Sequence, residues 1–241
     1  MKVESFSPDD QMSTNRQPAR PLRAFAAATL LTLAAVACKK TVETEPVKSL
    51  TLVSGGNQVR QASRTLRSPL VFRAIDANGA GVGGVAITIV VVQGGGSVDS
   101  ASVRTDANGE ARVRWTLGPE VVQAVLATVP EIEPMRVTAT GILPSDIVIA
   151  QGNNQSARVS VALANNIVVR VLGGSNVPMD SVNVTFQITG GGGAITPQSI
   201  LTNASGEATV KWTVGPVAGA NTALVRAATI DPVTINATAT P

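Results

Sequence analysis

Histidine and tyrosine are absent from the sequence, and cysteine occurs once, at Cys38. Without histidine, the Ser-His and Cys-His pairs that activate nucleophiles cannot form. General acid–base catalysis needs a second group within reach of the first, and histidine, the residue that most often serves, is missing. We therefore predict that the protein is not an enzyme and has no catalytic residue, no cofactor and no metal site.

The chain also has few aromatic residues and no concentration of positive charge. Aromatic residues make up 2% of the sequence, and the formal net charge is +3. Nucleic-acid binding needs a concentrated basic face, with aromatic side chains that stack on single strands. We therefore expect no nucleic-acid partner. The single cysteine excludes a disulfide within the chain, so the core must rely on packing alone.

A long internal repeat is the most informative feature that the sequence does contain. Residues 105–119 return as residues 202–216, an offset of 97, with ten of the fifteen positions identical. Solenoid units repeat every ~20–50 residues, so a repeat of this length indicates whole domains. After the Gly-Pro turn the offset becomes 98, because the second copy carries one extra loop residue after Pro216.

Each copy is predicted to be a β-sandwich. Period-two alternation of apolar and polar residues is typical of a half-buried strand. About seven short strands per copy, separated by turn residues, indicate an all-β fold of two tandem antiparallel sandwiches. The best-marked strand of each copy places these residues on its core face: Ala111, Val113, Trp115 and Leu117; Ala208, Val210, Trp212 and Val214.

We divide the sequence into five segments. Residues 1–37 are predicted to be a signal peptide, residues 38–48 a lipidated cysteine with a flexible tether, residues 49–141 the first sandwich, residues 142–145 a linker and residues 146–241 the second sandwich. Because the linker is too short for free tumbling, we expect the two domains to form a semi-rigid rod.

The N-terminal segment is typical of a secreted protein. Residues 24–37 form an uncharged run that follows Arg16, Arg20 and Arg23. Fourteen helical residues span ~21 Å, short of the ~30 Å hydrocarbon core, which favours a cleaved signal over a membrane anchor. Whether Met1 or Met12 is the true start stays open.

The only cysteine lies directly after three small residues, Ala-Val-Ala at positions 35–37. This segment resembles the lipobox of bacterial lipoproteins, in which the cysteine becomes the lipid-bearing first residue. It departs from the lipobox at Ala35, where leucine is usual. We favour lipidation of Cys38, which would hold the protein on a membrane. The alternative is ordinary signal-peptidase cleavage that leaves a free thiol.

The residue after the cysteine bears on which membrane would hold the protein. Lys39 is not the aspartate that retains lipoproteins at the inner membrane of enteric bacteria. The resemblance to lipoproteins therefore points outward, to the outer membrane or the cell surface.

The order of motifs in both copies resembles the bacterial Ig-like domains of the invasin/intimin group. The first copy shows a turn at residues 76–79, a Gly-rich loop at residues 94–96, the stretch Thr-Asp-Ala-Asn-Gly-Glu-Ala at residues 105–111, and Val-Thr-Ala at residues 137–139. The second copy departs at residues 173–176, where the acidic turn is lost. The resemblance implies two Ig-like domains that act as an extracellular or surface spacer. The adhesive residues of the group usually lie in other domains.

Acidic residues in the turns have two interpretations. The Asp-x-Asn turns at residues 76–78 and 106–108 could offer oxygen ligands to Ca²⁺, but they lack the terminal glutamate of an EF-hand loop. We favour Asx-turns. Glu110 and Glu207 recur after a turn glycine, which favours a hairpin role over a catalytic one. The Gly-rich loops lack the Lys-Ser/Thr of a phosphate loop and are interpreted as turns or bulges.

Two pairs of residues bear on the ligand. Trp115 and Trp212 could be platforms for sugars, but their parity places them on the buried face, and we favour core packing. Val90 and Val92 break the alternation that Gln187 and Thr189 keep in the second copy. Either a loop or the other domain buries this strand, or the two valines form an exposed contact for a partner.

We expect a non-enzymatic cell-envelope lipoprotein whose tandem Ig-like domains act as a surface spacer or as an adhesion and protein-interaction module. Its partners would be a membrane, through the lipid anchor, and an unknown protein or glycan ligand. The alternative is a carbohydrate-binding accessory protein of the cell envelope, which exposed aromatic residues would favour.

Overall fold

The computed structural model describes residues 46–241. The predicted signal peptide, Cys38 and most of the predicted tether lie outside this part of the chain. The described strands fall into two successive sets that correspond to the two copies of the repeat. A helix with the length and apolar character of a membrane span is absent from residues 46–241.

Ten strands form each copy, where the sequence led us to expect about seven. The first copy contains β1 (Ser49–Ser54), β2 (Gln58–Gln61), β3 (Leu70–Ile75), β4 (Ala86–Gln93), β5 (Gly96–Val98), β6 (Ser102–Arg104), β7 (Glu110–Val113), β8 (Trp115–Leu117), β9 (Val122–Thr128) and β10 (Met135–Ile142). The second copy contains β11 (Pro144–Gln151), β12 (Gln155–Arg158), β13 (Ile167–Gly173), a 3-10 turn (Gly174–Asn176), β14 (Val177–Pro178), β15 (Asn183–Gly190), β16 (Ala194–Thr196), β17 (Ser199–Leu201), β18 (Glu207–Thr213), β19 (Gly219–Ala227) and β20 (Val233–Thr240).

Two sheets face each other in each copy. In the first copy the sheet orders are β1-β3-β7 and β2-β10-β9-β4-β6, and β5 pairs with β8. In the second copy they are β11-β13-β18-β16, with β14 beside β13, and β12-β20-β19-β15-β17. The predicted all-β fold with tandem antiparallel Ig-like sandwiches is confirmed. Each copy also contains a parallel pair that we did not predict, β2 with β10 and β12 with β20.

The core of each copy is built by the alternation in its strands. All eight apolar residues that we assigned to the core face are at most 4% exposed. Arg112 and Arg114, on the opposite face of the same strand, are exposed. The apolar side chains fall into two separate clusters, one within residues 50–139 and one within residues 147–239. Each copy therefore has its own core, as expected of a domain.

One strand of the first copy is split where the second copy keeps it whole. The backbone N–H of Arg114 donates to Asp99 Oδ1 at 3.0 Å, between β7 and β8. In the second copy Thr196 stands at the position of Asp99, and it pairs with Lys211 in an unbroken ladder. The aspartate therefore takes a backbone donor out of the sheet, which accounts for part of the higher strand number.

Almost no chain separates the two sets of strands. Strand β10 ends at Ile142 and β11 begins at Pro144, so Leu143 alone lies between them. The four residues that we predicted to be a linker are thus mostly strand residues. Ile142 also packs against the core cluster of the second copy, although it belongs to a sheet of the first.

Candidate functional site

The acidic turns hold their own backbone. Asp106 Oδ1 accepts hydrogen bonds from the N–H groups of Asn108 and Glu110, at 2.8 and 3.0 Å. Asn203 Oδ1 makes the same two bonds in the second copy, at 2.9 and 3.0 Å. Asp76 Oδ1 does the same in its own turn, with N–H groups two and four residues on. The Asx-turn interpretation is therefore confirmed.

The repeated glutamates form ion pairs on the sheet surface. Glu110 Oε2 lies 3.4 Å from a guanidinium nitrogen of Arg112. Glu207 pairs instead with Arg170 across the sheet. Each glutamate begins a strand directly after its turn. The predicted hairpin is wrong, because these turns join strands of different sheets, β6 to β7 and β17 to β18. Residues 46–241 contain no group of three or more acidic, cysteine or histidine residues that could hold a metal ion.

The Gly-rich loops close one end of each sandwich. In the first copy, a Cβ on Gly118 would lie 1.9 Å from the Gly94 carbonyl oxygen. The Gly-Pro turn and the Gly-rich loop therefore approach more closely than a side chain at position 118 would permit. Gln123, fully buried, accepts from the Gly118 N–H at 2.9 Å and donates to the Glu120 carbonyl at 2.7 Å. Asn221 is the counterpart in the second copy. Sequence reasoning missed these buried amides, although they recur at the offset of 98.

Both tryptophans are core residues. Trp115 and Trp212 have no exposed surface, as their parity predicted. Neither indole N–H has a hydrogen-bond partner among the described residues. A sugar platform needs an accessible ring face, so neither side chain can serve as one in this conformation.

An apolar surface lies on the outer side of the five-stranded sheet of the first copy. Val90 is 51% exposed and Val92 is 45% exposed, so neither a loop nor the other domain buries them. Val90 lies directly opposite the partly exposed Leu126 on β9, and Val92 sits at a bulge in β4. We call Val90, Val92 and Leu126 the valine face.

The two valine positions of this surface are polar in the second copy, although Leu224 matches Leu126. There the register places Gln187 opposite Leu224 and Thr185 opposite Arg226. Thr189, at the position of Val92, shares a hydrogen bond with Thr222, Oγ1 to Oγ1 at 2.9 Å. The fold therefore does not require valines on this face, and the exposed pair Val90 and Val92 is particular to the first copy.

The two copies touch at a second distinctive region, which we call the joint: residues 59–64, 142–145 and 173–180. Of the two glycines in the joint, Gly173 packs against the first copy, whereas Gly174 has open space beside it. A Cβ on Gly173 would lie 2.6 Å from Ile142 Cγ2 and 2.8 Å from the Leu143 carbonyl oxygen. The equivalent position in the first copy is Asp76, the residue that organises the acidic turn. In the second copy, Ile142 and Leu143 lie where a side chain at position 173 would stand.

Asp180 connects the two copies by hydrogen bonds. Gln61 Nε2 donates to the Asp180 carbonyl at 2.8 Å, and the Asp180 N–H donates to Gln61 Oε1 at 3.2 Å. The side chain of Asp180 forms an ion pair with Arg64, with 2.7 Å between Arg64 NH2 and Asp180 Oδ2. Backbone and side chain of one residue are thus held by the neighbouring domain.

The residues of the joint are those at which the copies differ. An offset of 97 places Arg158 at the position of Gln61, Val161 at that of Arg64 and Gly83 at that of Asp180. Sequence reasoning missed this cluster, although these mismatches between the copies were the signal that could have revealed it.

A groove lies beside the joint. Its volume is about 560 Å³, and Val59, Arg60, Arg67, Val177, Pro178 and Asp180 are among its lining residues. It adjoins an apolar hollow of about 500 Å³ that includes Val121 and Leu143 and shares Val59, Ile142 and Val177 with the groove. Because both copies contribute to the lining, neither sandwich forms this surface by itself.

No protein-family model matches the chain, and no curated protein matches its sequence. Among solved structures, the D0–D1 domain of intimin is 18% identical, with a TM-score of 0.32, over 79% of this chain and 95% of that chain. The Yersinia pseudotuberculosis adhesin InvE is 21% identical, with a TM-score of 0.42, over 80% of this chain and 59% of that chain. Invasin, described as a bacterial integrin-binding protein, is 22% identical, with a TM-score of 0.42, over 80% of this chain and 40% of that chain. The chain thus spans less than two thirds of InvE and of invasin. It is similar in structure to Ig-like domain proteins of the invasin/intimin type.

Proposed function

We propose that the protein is a non-enzymatic cell-envelope lipoprotein whose two Ig-like domains, residues 49–141 and 146–241, act as a surface spacer and protein-interaction module. The valine face is the observation that carries the interaction role. Its two valines are replaced by Gln187 and Thr189 in the second copy, whereas Leu126 is matched by Leu224, so the shared fold does not account for the valines. A partner protein would bury Val90 and Val92, which lie open on the sheet.

The chemistry around the valine face suits a protein partner. Thr88 and Thr128 flank it in the register of β4 and β9, and Arg136 stands opposite Leu126 on β10. An apolar centre with a polar rim is the usual arrangement of a protein interface. Burial of the three apolar side chains would contribute on the order of a few kcal/mol, enough for the centre of a contact but not for a permanent interface.

A carbohydrate-binding role has less support. Such sites present aromatic ring faces to the sugar, and Trp115 and Trp212 are fully buried. The four phenylalanines and two tryptophans are the only aromatic residues of the sequence. Phe72 and Phe186 also lie in the cores. The described part of the chain therefore lacks an exposed tryptophan that could serve as a platform.

The valine face can be tested by photo-crosslinking on intact cells. A photoreactive side chain at position 90 should give a specific crosslinked protein, whereas the same group at Gln187 of the second copy should not. The recovered partner is then purified, and its affinity for the protein is measured by calorimetry. Val90→Asp with Val92→Asp should abolish binding without lowering the thermal midpoint, because both side chains are exposed.

The matched control for these variants is Gln187→Asp with Thr189→Asp, at the same positions of the second copy, which should bind as wild type does. Undiminished binding by the valine variants would exclude the valine face as the contact. Unfolding of those variants would show that the two valines are structural.

Anchoring through Cys38 is tested separately. Cells fed an alkyne-labelled fatty acid should label the protein, and Cys38→Ala should abolish the label and release the chain from the membrane fraction. Protease treatment of intact cells should cleave the wild-type protein if it faces the outside. A labelled protein that only lysed cells expose to protease would keep the anchor and exclude the surface location.

A further inference from the structure

The groove beside the joint combines positive charge with apolar surface. The two arginines that line it, Arg60 and Arg67, form no ion pair with any described residue, whereas Asp180 is already paired with Arg64. Arg60 Nε is buried and lacks a hydrogen-bond partner in the described part of the chain. The groove therefore offers guanidinium donors that nothing in residues 46–241 uses. Guanidinium groups match carboxylates in a two-pronged geometry.

The other part of this surface is aliphatic and open. Val59 is 60% exposed, Val121 is 46% exposed and Leu143 is 39% exposed. Leu143 is the single residue between β10 and β11, and it is held between the two copies. Such an exposed apolar cluster next to unpaired charges is typical of an interaction surface rather than of a spacer.

The groove also runs beside a free sheet edge. Strand β2 pairs with β10 on one side, and no strand among residues 46–241 pairs on its other side. An unpaired edge of this kind is where extended peptides add to a sheet, with side chains placed alternately into pockets. An extended segment along β2 would set its side chains near Val59 and Arg60, which point to opposite faces.

We propose that the joint groove binds an extended, acidic peptide segment of a partner protein, with aliphatic side chains on the apolar surface and carboxylates on Arg60 and Arg67. The peptide is favoured over a detergent-like amphiphile because the edge of β2 supplies backbone groups that only a peptide can pair. This site is separate from the valine face and from the lipid anchor, so it does not rest on either.

The test uses a fluorescein-labelled hexapeptide that alternates valine and aspartate, with the protein in its two-domain form. We expect binding with a dissociation constant of about 1 mM or tighter. Peptides that replace aspartate by asparagine, or valine by serine, should bind at least about tenfold more weakly, a loss of ~1.4 kcal/mol. Amide shifts in the wild-type NMR spectrum should move at Val59 and Val177, which requires no variant.

Charge dependence is tested with Arg60→Gln combined with Arg67→Gln. This variant should weaken binding at least about tenfold, while its thermal midpoint stays at the wild-type value. The matched control is Arg158→Gln, an exposed residue on the corresponding strand β12, which should bind as wild type does. Val90→Asp with Val92→Asp should also keep the peptide affinity, which distinguishes this site from the proposed valine face.

Several results would overturn the proposal. These are no binding up to about 5 mM peptide, equal binding of the asparagine peptide, or full affinity in the double arginine variant. Preferential binding of sodium dodecanoate with the same shift pattern would show an amphiphile site instead.

Discussion

Arg64 of the first domain and Asp180 of the second form an ion pair with a separation of 2.7 Å between NH2 and Oδ2. Both side chains keep about a third of their surface in water or more, at 33% and 40% exposure. A pair this exposed contributes at most about 1 kcal/mol, so it does not hold either sandwich together. The ion pair affects the orientation of the two domains, because Arg64 and Gln61 both bind Asp180 of the neighbouring domain.

Gln61→Ala with Arg64→Ala should therefore widen the range of angles between the domains while each domain stays folded. We expect small-angle X-ray scattering to show a broader distance distribution. The free energy of unfolding should change by no more than about 1–2 kcal/mol, because the lost bonds are partly solvated.

Arg158→Ala with Val161→Ala changes the matched positions of the second copy and should leave the scattering profile unchanged. An unchanged profile in the Gln61 and Arg64 variant would mean that packing at Ile142 alone fixes the joint.

Gly173→Asp restores the residue that the first copy has at this position and should be poorly tolerated. The backbone at Gly173 is extended, with φ −109° and ψ −172°, so the cost is steric rather than conformational. A Cβ would meet Ile142 and the Leu143 carbonyl inside contact distance. Overpacking of this kind costs about 1–3 kcal/mol, measurable as a lower urea midpoint.

Gly174→Ala is the control for Gly173→Asp, since a Cβ at Gly174 would meet no atom within 4 Å. It should leave the urea midpoint near the wild-type value. Equal losses in the two variants would assign the effect to the loop rather than to the joint.

Trp115 and Trp212 each report on one domain, because each lies in a different core cluster. Replacement by alanine should cost about 3–5 kcal/mol in the domain concerned. Phenylalanine should cost less, because it keeps much of the apolar contact and removes an indole N–H that has no partner among residues 46–241.

The two single phenylalanine variants leave one tryptophan each, so fluorescence follows the unfolding of one domain at a time. Each phenylalanine variant is also combined with the variants of the joint. If the Trp115→Phe and Trp212→Phe proteins gave identical unfolding curves in all of these combinations, the two domains would unfold as one cooperative unit.

Asp106→Ala should destabilise the first domain by about 1–2 kcal/mol, because two backbone N–H groups lose their acceptor. Asp106→Asn is the informative comparison, since asparagine makes the same two bonds at Asn203. It should retain most of the stability in chemical denaturation. A variant with asparagine that is as unstable as the alanine variant would show that the charge, and not the Asx-turn, is required.

The features that sequence predicted well are local ones. The positions of Trp115 and Trp212 follow from alternation within one strand, and the turns at Asp106 and Asn203 follow from residues two to four places apart. These relationships are short-range, so the sequence pattern carries them directly.

The features that it missed depend on long-range pairing. Strand β2 is four residues long and has no alternation, so nothing in it predicts a parallel partner. The bonds between Gln61 and Asp180 join residues 119 positions apart. The valine face was anticipated because the copies could be compared position by position. The same comparison at Gln61, Arg64 and Gly173 also shows differences between the copies, and these differences mark the joint.

The parallel pairing of β2 with β10 governs how the first domain responds to a pulling force. Tension applied through the two ends of this domain draws the early strand β2 and the final strand β10 in opposite directions along their shared ladder. Its four residue pairs, from Gln58 with Ala139 to Gln61 with Ile142, are then loaded in shear and must yield together. Strands β12 and β20 repeat this arrangement in the second domain. Residues 46–241 therefore contain two mechanical clamps in series, each formed by the second and the last strand of its domain.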